Sequence, residues 1–342
     1  MTALLTPEEA AAFLRAGNNY LLLSHRRPDG DTTGSCAALC LALRALGKQA
    51  WVYPNPQFTP RFAPYLETLV GRPDLRPPQG QATVGEDGGP GSGRPTPVCI
   101  ISCDIASRSL LPFGMEDAEV ALSIDHHGGP GFAARTLVDP EAAACGELLT
   151  EFLPLLGVAL DRPMAEALYV AISTDTGCFR YSNVTAATFR AAAACAAAGA
   201  DMFPINRSLF TVKRKARLAL EAWLIEHTEY FAGGRVAVTA IDNALMERLA
   251  LTEDDIDDIS SFGRTIEGVE IAVMLREVED GMGKASVRTG RDYNAAAICR
   301  RLGGGGHPGA AGASVPGGIP AIRAAVLASV AEEMNLKCRT ES

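Results

Sequence analysis

No apolar run in the 342 residues approaches the roughly 18 to 20 residues of a membrane span, and residues 1–19 lack the basic-then-apolar order of a secretory leader. Both absences predict a cytoplasmic chain without a membrane partner. The nine cysteines (Cys36, Cys40, Cys99, Cys103, Cys145, Cys178, Cys195, Cys299 and Cys338) include no C-x-x-C pair, and their number is odd. That argues against a thiolate zinc cluster and against a disulfide framework, leaving them as small core residues. A basic excess is also missing. The formal net charge of -9 argues against a groove for long duplex nucleic acid, which relies on a cationic surface, but allows a small anionic substrate held by local cations or metal ions. Length and a hydrophobic content of 47% predict a globular protein of two domains.

What is present is concentrated first at residues 21–35. Leu21-Leu22-Leu23-Ser24 reads as a short apolar strand. His25, Asp29 and Asp31 follow in a loop bent by Pro28 and Gly30, before a helix that starts near Thr33. Imidazole and carboxylate are ligands of hard or borderline divalent ions. A polar turn with Asp31 or Thr32 as the helix cap is the alternative on this stretch alone. The helix ends at Gly47, and Ala50-Trp51-Val52-Tyr53 is the next strand. That order is a βαβ unit, whose sites form beyond the C-terminal ends of parallel strands. Ahead of it, Thr6-Pro7-Glu8-Glu9 reads as a capped helix start.

The pattern recurs along the chain. Val98-Cys99-Ile100-Ile101-Ser102-Cys103 is a buried strand ending in Asp104, and Val120-Ala121-Leu122-Ser123-Ile124 delivers Asp125, His126 and His127. The apolar stretch 168–174 is more helical than extended and ends in Asp175. One Asp at a strand end is readily a helix cap, but segments that repeatedly deliver Asp or His to the same end of an α/β domain describe a metal centre. Residues 77–97, rich in Gly and Pro with almost no large apolar side chain, read as a flexible surface insertion without chemistry. Arg180 is compatible with a phosphate contact or a solvated role, and His227 has no ligand-type neighbour.

These residues resemble the DHH phosphoesterases, a family named for the motif that stands here as Asp125-His126-His127. The resemblance takes in 24–35, Asp104, the 125–127 motif and 175–177 in order. It implies one metal on His25, Asp29 and Asp104, and a second on Asp31, Asp104, His126 and Asp175, with Asp104 bridging. It also implies that His127 faces the substrate phosphate and that Asp125 orients the histidine loop. Independently of the family, a donor set of carboxylates and imidazoles without thiolate suits two Mn²⁺, with Mg²⁺ or Co²⁺ as alternatives. Two such ions, about 3.5 to 4 Å apart, lower the pKa of a bridging water and clamp both oxygens of an in-line displacement at phosphorus. His127 would stabilise phosphoryl charge or protonate the leaving oxygen, and the residues leave both roles open.

The second domain begins at the strand 235–241. The acidic run 252–258 is explained by Thr252 as a helix cap with acids in the first turn. Residues 269–277 and 284–288 read as a hairpin, and 294–302 as a helix running into Gly303-Gly304-Gly305-Gly306-His307-Pro308-Gly309. Successive glycines with nothing to pack fit a backbone that approaches a ligand closely. The stretch is similar to the glycine-histidine loop of the DHHA1 substrate-binding domain, and Ser286-Val287-Arg288 to its arginine strand. The resemblance thus implies substrate contacts at Arg288, Gly304, Gly305, Gly306 and His307.

The expectation is an α/β protein with a Rossmann-like parallel-sheet DHH domain at 1–203, a helical connector at 204–232 and a smaller α/β DHHA1 domain at 233–342. It is expected to be a Mn²⁺-dependent phosphodiesterase that turns nano-RNA and dinucleotides, linear pApA or cyclic di-AMP, into nucleoside monophosphates. Phosphatase activity on adenosine 3′,5′-bisphosphate (pAp) goes with that resemblance. The rivals are a single-strand DNA exonuclease, an inorganic pyrophosphatase and a non-catalytic nucleotide sensor. A homodimer is compatible with the resemblance, and the sequence leaves the oligomeric state open.

Overall fold

The computed structural model describes residues 2–71, 98–256, 258–278 and 281–340, and the expected insertion at 77–97 lies outside them. The chain divides into two compact units, Met1–Val212 and Lys213–Ser342. Residues 204–232, expected as a connector, contribute to both.

In the first unit the elements run β1 (Ala3–Leu4), α1 (Pro7–Ala16), β2 (Asn19–Leu23), α2 (Gly30–Ala45), β3 (Gln49–Val52), β4 (Cys99–Cys103), β5 (Leu122–Asp125) and β6 (Arg135–Val138). The helices α3 (Cys145–Phe152), α4 (Arg162–Asp175), α5 (Ala186–Ala197) and α6 (Met202–Asn206) follow. All six strands are parallel, in the order β1-β6-β5-β4-β2-β3. Apolar residues cover both faces of such a sheet, which is why its strands read as continuous hydrophobic runs. Leu22, Ile101 and Ile124 pack with Leu39 and Leu43 of α2 and Leu168 and Ile172 of α4, while Leu21 and Leu23 turn to the other face against Tyr53, Ile105 and Leu111. The cap expected at Thr6 is present: its hydroxyl accepts from the Glu9 amide at 3.2 Å, and Glu9 returns to the Thr6 amide at 2.9 Å.

Glycine decides how closely α2 approaches its neighbours. A Cβ at Gly34 would overlap the carbonyl oxygen of Ala167 on α4, and one at Gly30 would overlap Thr174. Gly146, in the first turn of α3, meets Ala171 of α4 in the same way. These contacts bring the start of α2, the start of α3 and the end of α4 to one place.

The second unit holds α7 (Lys215–His227), β7 (Glu229–Phe231), β8 (Val236–Ile241), α8 (Asn243–Arg248), β9 (Ile271–Val278), β10 (Met282–Thr289), α9 (Ala295–Arg300), β11 (Gly305–His307), β12 (Ala310–Pro316) and α10 (Gly318–Thr340). Its sheet has the order β11-β12-β10-β9-β8-β7 and is antiparallel except between β8 and β9. Val273, Ala285, Val287 and Ala313 pack with Ile298 of α9 and Ile322 and Val326 of α10. On another part of the sheet, Ile241 and Met274 lie under Leu220 and Leu224 of α7 and Leu245 of α8. The acidic run near Thr252 is structural: the Asp255 carboxylate accepts from the Thr252 amide at 2.8 Å and is paired with Arg214. His227 stacks on Trp223 with ring centroids 4.1 Å apart. Among the described residues no helix is long and apolar enough to cross a membrane.

Candidate metal centre

The C-terminal ends of β2, β4 and β5 open on one side of the first sheet. Asp104, one residue beyond β4, is the centre of what gathers there. Its side chain is 4% exposed, its φ is +58°, and its Oδ1 accepts no hydrogen bond. A left-handed backbone at a non-glycine residue costs on the order of 1 kcal/mol or more, and a buried carboxylate oxygen without a donor costs further. Burial works against ionisation of Asp104, yet the imidazoles of His126, His127 and His25 hold it below the usual carboxylate range.

His25 Nε2 lies 3.4 Å from Asp29 Oδ2 and 3.7 Å from Asp104 Oδ2. Its Nδ1 is 2.9 Å from the carbonyl oxygen of Arg26, and since a carbonyl only accepts, Nδ1 carries the hydrogen and Nε2 faces the acids. His126 repeats the arrangement. Nδ1 donates to Ala142 O at 3.1 Å, and Nε2 stands 3.5 Å from Asp104 Oδ1, 3.5 Å from Asp175 Oδ2 and 3.7 Å from Asp31 Oδ2. Three groups have donor atoms close enough to hold an ion: His25, Asp29 and Asp104; Asp31, His126 and Asp175; and Asp104, His126 and His127.

The helix α2 starts at Gly30 rather than near Thr33, and its cap is Asp29, not the Asp31 or Thr32 of the alternative reading. Its Oδ1 accepts from the amides of Asp31 at 3.0 Å and Thr32 at 3.2 Å, which leaves Oδ2 for His25. Cap and candidate ligand are thus one side chain using different oxygens. Thr32 instead ties α2 to the sheet, donating to Cys103 O at 2.7 Å and accepting from the His25 amide at 3.2 Å.

Asp31 is fully buried. Its carboxylate takes the Cys145 amide at 2.7 Å, the Gly146 amide at 2.9 Å and the Ser35 hydroxyl at 3.1 Å. Burial, with Asp104 and Asp175 nearby, still pushes its pKa well above the usual value. Burial, with Asp104 and Asp29 nearby, raises Asp175 to about 7. Burial lowers the affinity of His25 for a proton, but Asp29 and Asp104 outweigh it and raise the group to about 9.

His127 belongs only to the last of those three groups and is the most exposed of their histidines. Its side chain is 43% exposed, and its Nδ1 donates to Asp125 Oδ1 at 2.9 Å, 3.4 Å from Asp104 Oδ1. Asp125 Oδ1 also receives the amides of His126 at 2.7 Å and His127 at 3.0 Å, so it fixes both loop and ring. Asp104 and Asp125 raise His127 to about 11. An open pocket of about 240 Å³ adjoins it, lined by His25, Arg26, Asp29, Asp104, Ala106, Leu110, His127 and Asp175. Arg180, in contrast, turns its Nε to the carbonyl oxygen of Gly177 at 2.6 Å.

Sequence reasoning overlooked the amides of Cys145 and Gly146. Their only signal is small residues before an apolar helix, which is no signal of a carboxylate contact 114 residues away. Cys145 Sγ itself points to Ile124 O at 3.4 Å, so the centre keeps an oxygen and nitrogen donor set.

In the second unit, the glycine stretch is an edge strand paired with β12: Gly305 opposite Gly312, Gly306 opposite Ala311 and His307 opposite Ala310. A Cβ at Gly304 would overlap the carbonyl oxygen of Gly312, and Gly306 has a φ of +140°. Close strand pairing thus requires these two glycines, while Gly305 is open on its outer side. Arg288 is also opposite Ala310. Paired residues share a face, so Arg288 and His307 flank Ala310 from either side, about 10 Å apart across three strands.

Fold and centre together define a two-unit α/β protein whose first unit carries an acidic, histidine-containing site of the metallohydrolase kind. Residues 19–172 match the model of the DHH family, N-terminal domain, and residues 233–335 that of the DHHA1 domain. The chain is 31% identical over 316 residues to a bifunctional oligoribonuclease and PAP phosphatase, NrnA, of Thermus thermophilus, across 92% of this chain and 89% of that protein. It is 26% identical over 306 residues to a cyclic-di-AMP phosphodiesterase, GdpP, of Geobacillus thermodenitrificans, which is 85% of this chain and 44% of that protein. An exopolyphosphatase-related protein from Bacteroides fragilis shares the fold, with a TM-score of 0.80 at 18% identity over 97% of both chains. The chain belongs to the DHH family of metal-dependent phosphoesterases.

Proposed function

We propose that the chain hydrolyses short phosphorylated nucleotides at a two-metal centre. The observation that carries this reading is Asp104: a buried, ionised carboxylate with an unsatisfied oxygen, between two histidines whose free nitrogens face further acids. Such an arrangement is costly without a cation and well suited to one. His25, Asp29 and Asp104 would hold one ion, and Asp31, Asp104, His126 and Asp175 the other, with Asp104 shared. The donor set favours Mn²⁺, with Mg²⁺ and Co²⁺ as alternatives. When bound, such ions lower the pKa of a water and offset charge on attacking and leaving oxygens.

The chain's own residues do the rest. The amides at the start of α3 fix Asp31, and the carbonyls of Arg26 and Ala142 fix the ring orientations of His25 and His126. Asp125 aims His127, which Asp104 and Asp125 favour in its protonated form, so that the ring can donate a hydrogen bond to the phosphoryl group or a proton to the leaving oxygen. Arg288 and His307, with the strand of Gly304, Gly305 and Gly306, contact the terminal nucleotide.

The substrates we infer are nano-RNA, 5′-phosphorylated dinucleotides such as pApA, cyclic di-AMP and pAp. The names of the relatives and the chain's net negative charge support this over long strands. A panel of pApA, cyclic di-AMP, pAp and oligonucleotides of up to about twenty residues, in Mn²⁺ and in chelator, tests it. Mn²⁺-dependent release of nucleoside monophosphates from the two-residue substrates is expected. Preference for the longest strands, or turnover undiminished by chelation, overturns it.

A further inference from the structure

Arg26 lines the same pocket as Asp29, Asp104 and Asp175 but forms an ion pair with none of them. Its one carboxylate neighbour among the described residues is Glu116, 3.9 Å away, whose other oxygen is taken by the Gly114 amide at 2.9 Å. The guanidinium lies over the ring of Phe113, 4.2 Å from its centroid, and Nε is buried without a hydrogen-bond partner. The wall that carries it is fixed. The Arg26 amide donates to Leu110 O at 2.6 Å, the Tyr53 hydroxyl to Phe113 O at 3.0 Å, and Arg108 to Ala118 O at 3.0 Å.

A cation whose purpose was to offset the carboxylates would sit against them. Arg26 is instead stacked on an aromatic face, 34% exposed, with donors to spare beside the pocket that holds His127. Its planar fork matches a phosphate better than any group now near it. We propose that Arg26 binds a second phosphate of the substrate, adjacent to the one being cleaved. It thereby sets a preference for nucleotides that carry two phosphates: 5′-phosphorylated dinucleotides and nucleoside 3′,5′-bisphosphates. The proposal rests on the phosphoesterase reading above and adds the feature of the substrate that the pocket selects.

The test compares wild type, Arg26→Gln and Arg26→Lys, all loaded with Mn²⁺, on pApA, on ApA lacking the 5′-phosphate, and on bis(p-nitrophenyl) phosphate. Wild type should prefer pApA to ApA, and Arg26→Gln should lower kcat/KM for pApA roughly ten- to hundredfold, mainly through KM. ApA and the small ester should change little, Arg26→Lys should recover part of the loss, and the melting temperature should not move. Equal losses on all three substrates, or no loss on pApA, overturn the proposal. So does a wild type that cleaves pApA and ApA equally well. A wild type that cleaves none of the three contradicts the underlying phosphoesterase reading itself, a result that the variants do not mimic.

Discussion

In the first unit the chain buries Asp31 and Asp104 beside histidines, tolerates a left-handed backbone at Asp104 and leaves a carboxylate oxygen without a donor. In the second, His307 is exposed on the edge strand β11 and Arg288 lies on β10 two strands in, with Gly304 and Gly306 packed closely against β12. The difference is one of cost. The first arrangement carries a desolvation cost that bound protons or a cation must offset, whereas the second is stable as an ordinary strand pair. Loss of metal should therefore be felt throughout the first unit, and changes in the second should act on substrate alone.

The strongest way to break that contrast is Gly34→Val. Its branched side chain would push α2 from α4, separating Asp31 from Asp175, at a cost of about 1 to 3 kcal/mol for overpacking. A folded variant should show sharply reduced Mn²⁺ content and activity. Retention of both would mean that the helix approach does not position the ligands.

The pH dependence sharpens the contrast. His25, raised to about 9, and Asp175, raised to about 7, both bind protons more tightly in the folded chain than in the unfolded one. The stability that they contribute is complete only at low pH. It is lost as pH rises, for Asp175 between its ordinary value near 4 and about 7, and for His25 between about 6.5 and 9. Because Mn²⁺ competes with those protons, the thermal shift on adding it should grow from pH 6 to pH 8. Calorimetric scans showing an equal or shrinking shift would count against the ligand set.

Arg288→Ala and His307→Ala should each weaken dinucleotide turnover by about 1 to 3 kcal/mol while both ions stay bound and bis(p-nitrophenyl) phosphate is cleaved normally. Equal damage to the small ester would place these residues in the chemistry instead. The smallest effect expected is on stability at Gly305→Ala, where a Cβ meets nothing within 4 Å. Urea unfolding should find it within about 0.5 kcal/mol of wild type, with Gly304→Ala clearly less stable.

Much of the first centre was legible because parallel strands deliver their ligands in short loops, where His25, Asp29 and Asp31, or Asp125 and His126, adjoin in sequence. Thr6 and Glu9 were readable for the same reason. What escaped depends on distant pairings. β1 and β6 were not read as strands, since two and four residues carry little pattern of their own. The Cys145 and Gly146 amides act on Asp31 only through helix packing. Arg26 drew no notice beside the ligands because its distinction lies in the ring beneath it and the partners it lacks. The glycines at 303–306 were read as a ligand approach. Strand register now shows that Gly304 and Gly306 are needed for pairing, and it aligns Arg288 with His307.

Metal analysis after equilibrium dialysis tests whether Asp104 is shared by two ions. Asp104→Asn keeps the left-handed backbone accessible and removes the charge, Asp104→Ala removes the oxygens as well, and His127→Ala serves as the comparison. Two Mn²⁺ per chain are expected in wild type and in His127→Ala, with weakened binding of both in either Asp104 variant and a deeper loss of turnover in Asp104→Ala than in His127→Ala. A folded Asp104→Ala that binds two Mn²⁺ and turns over substrate at the wild-type rate would contradict the sharing.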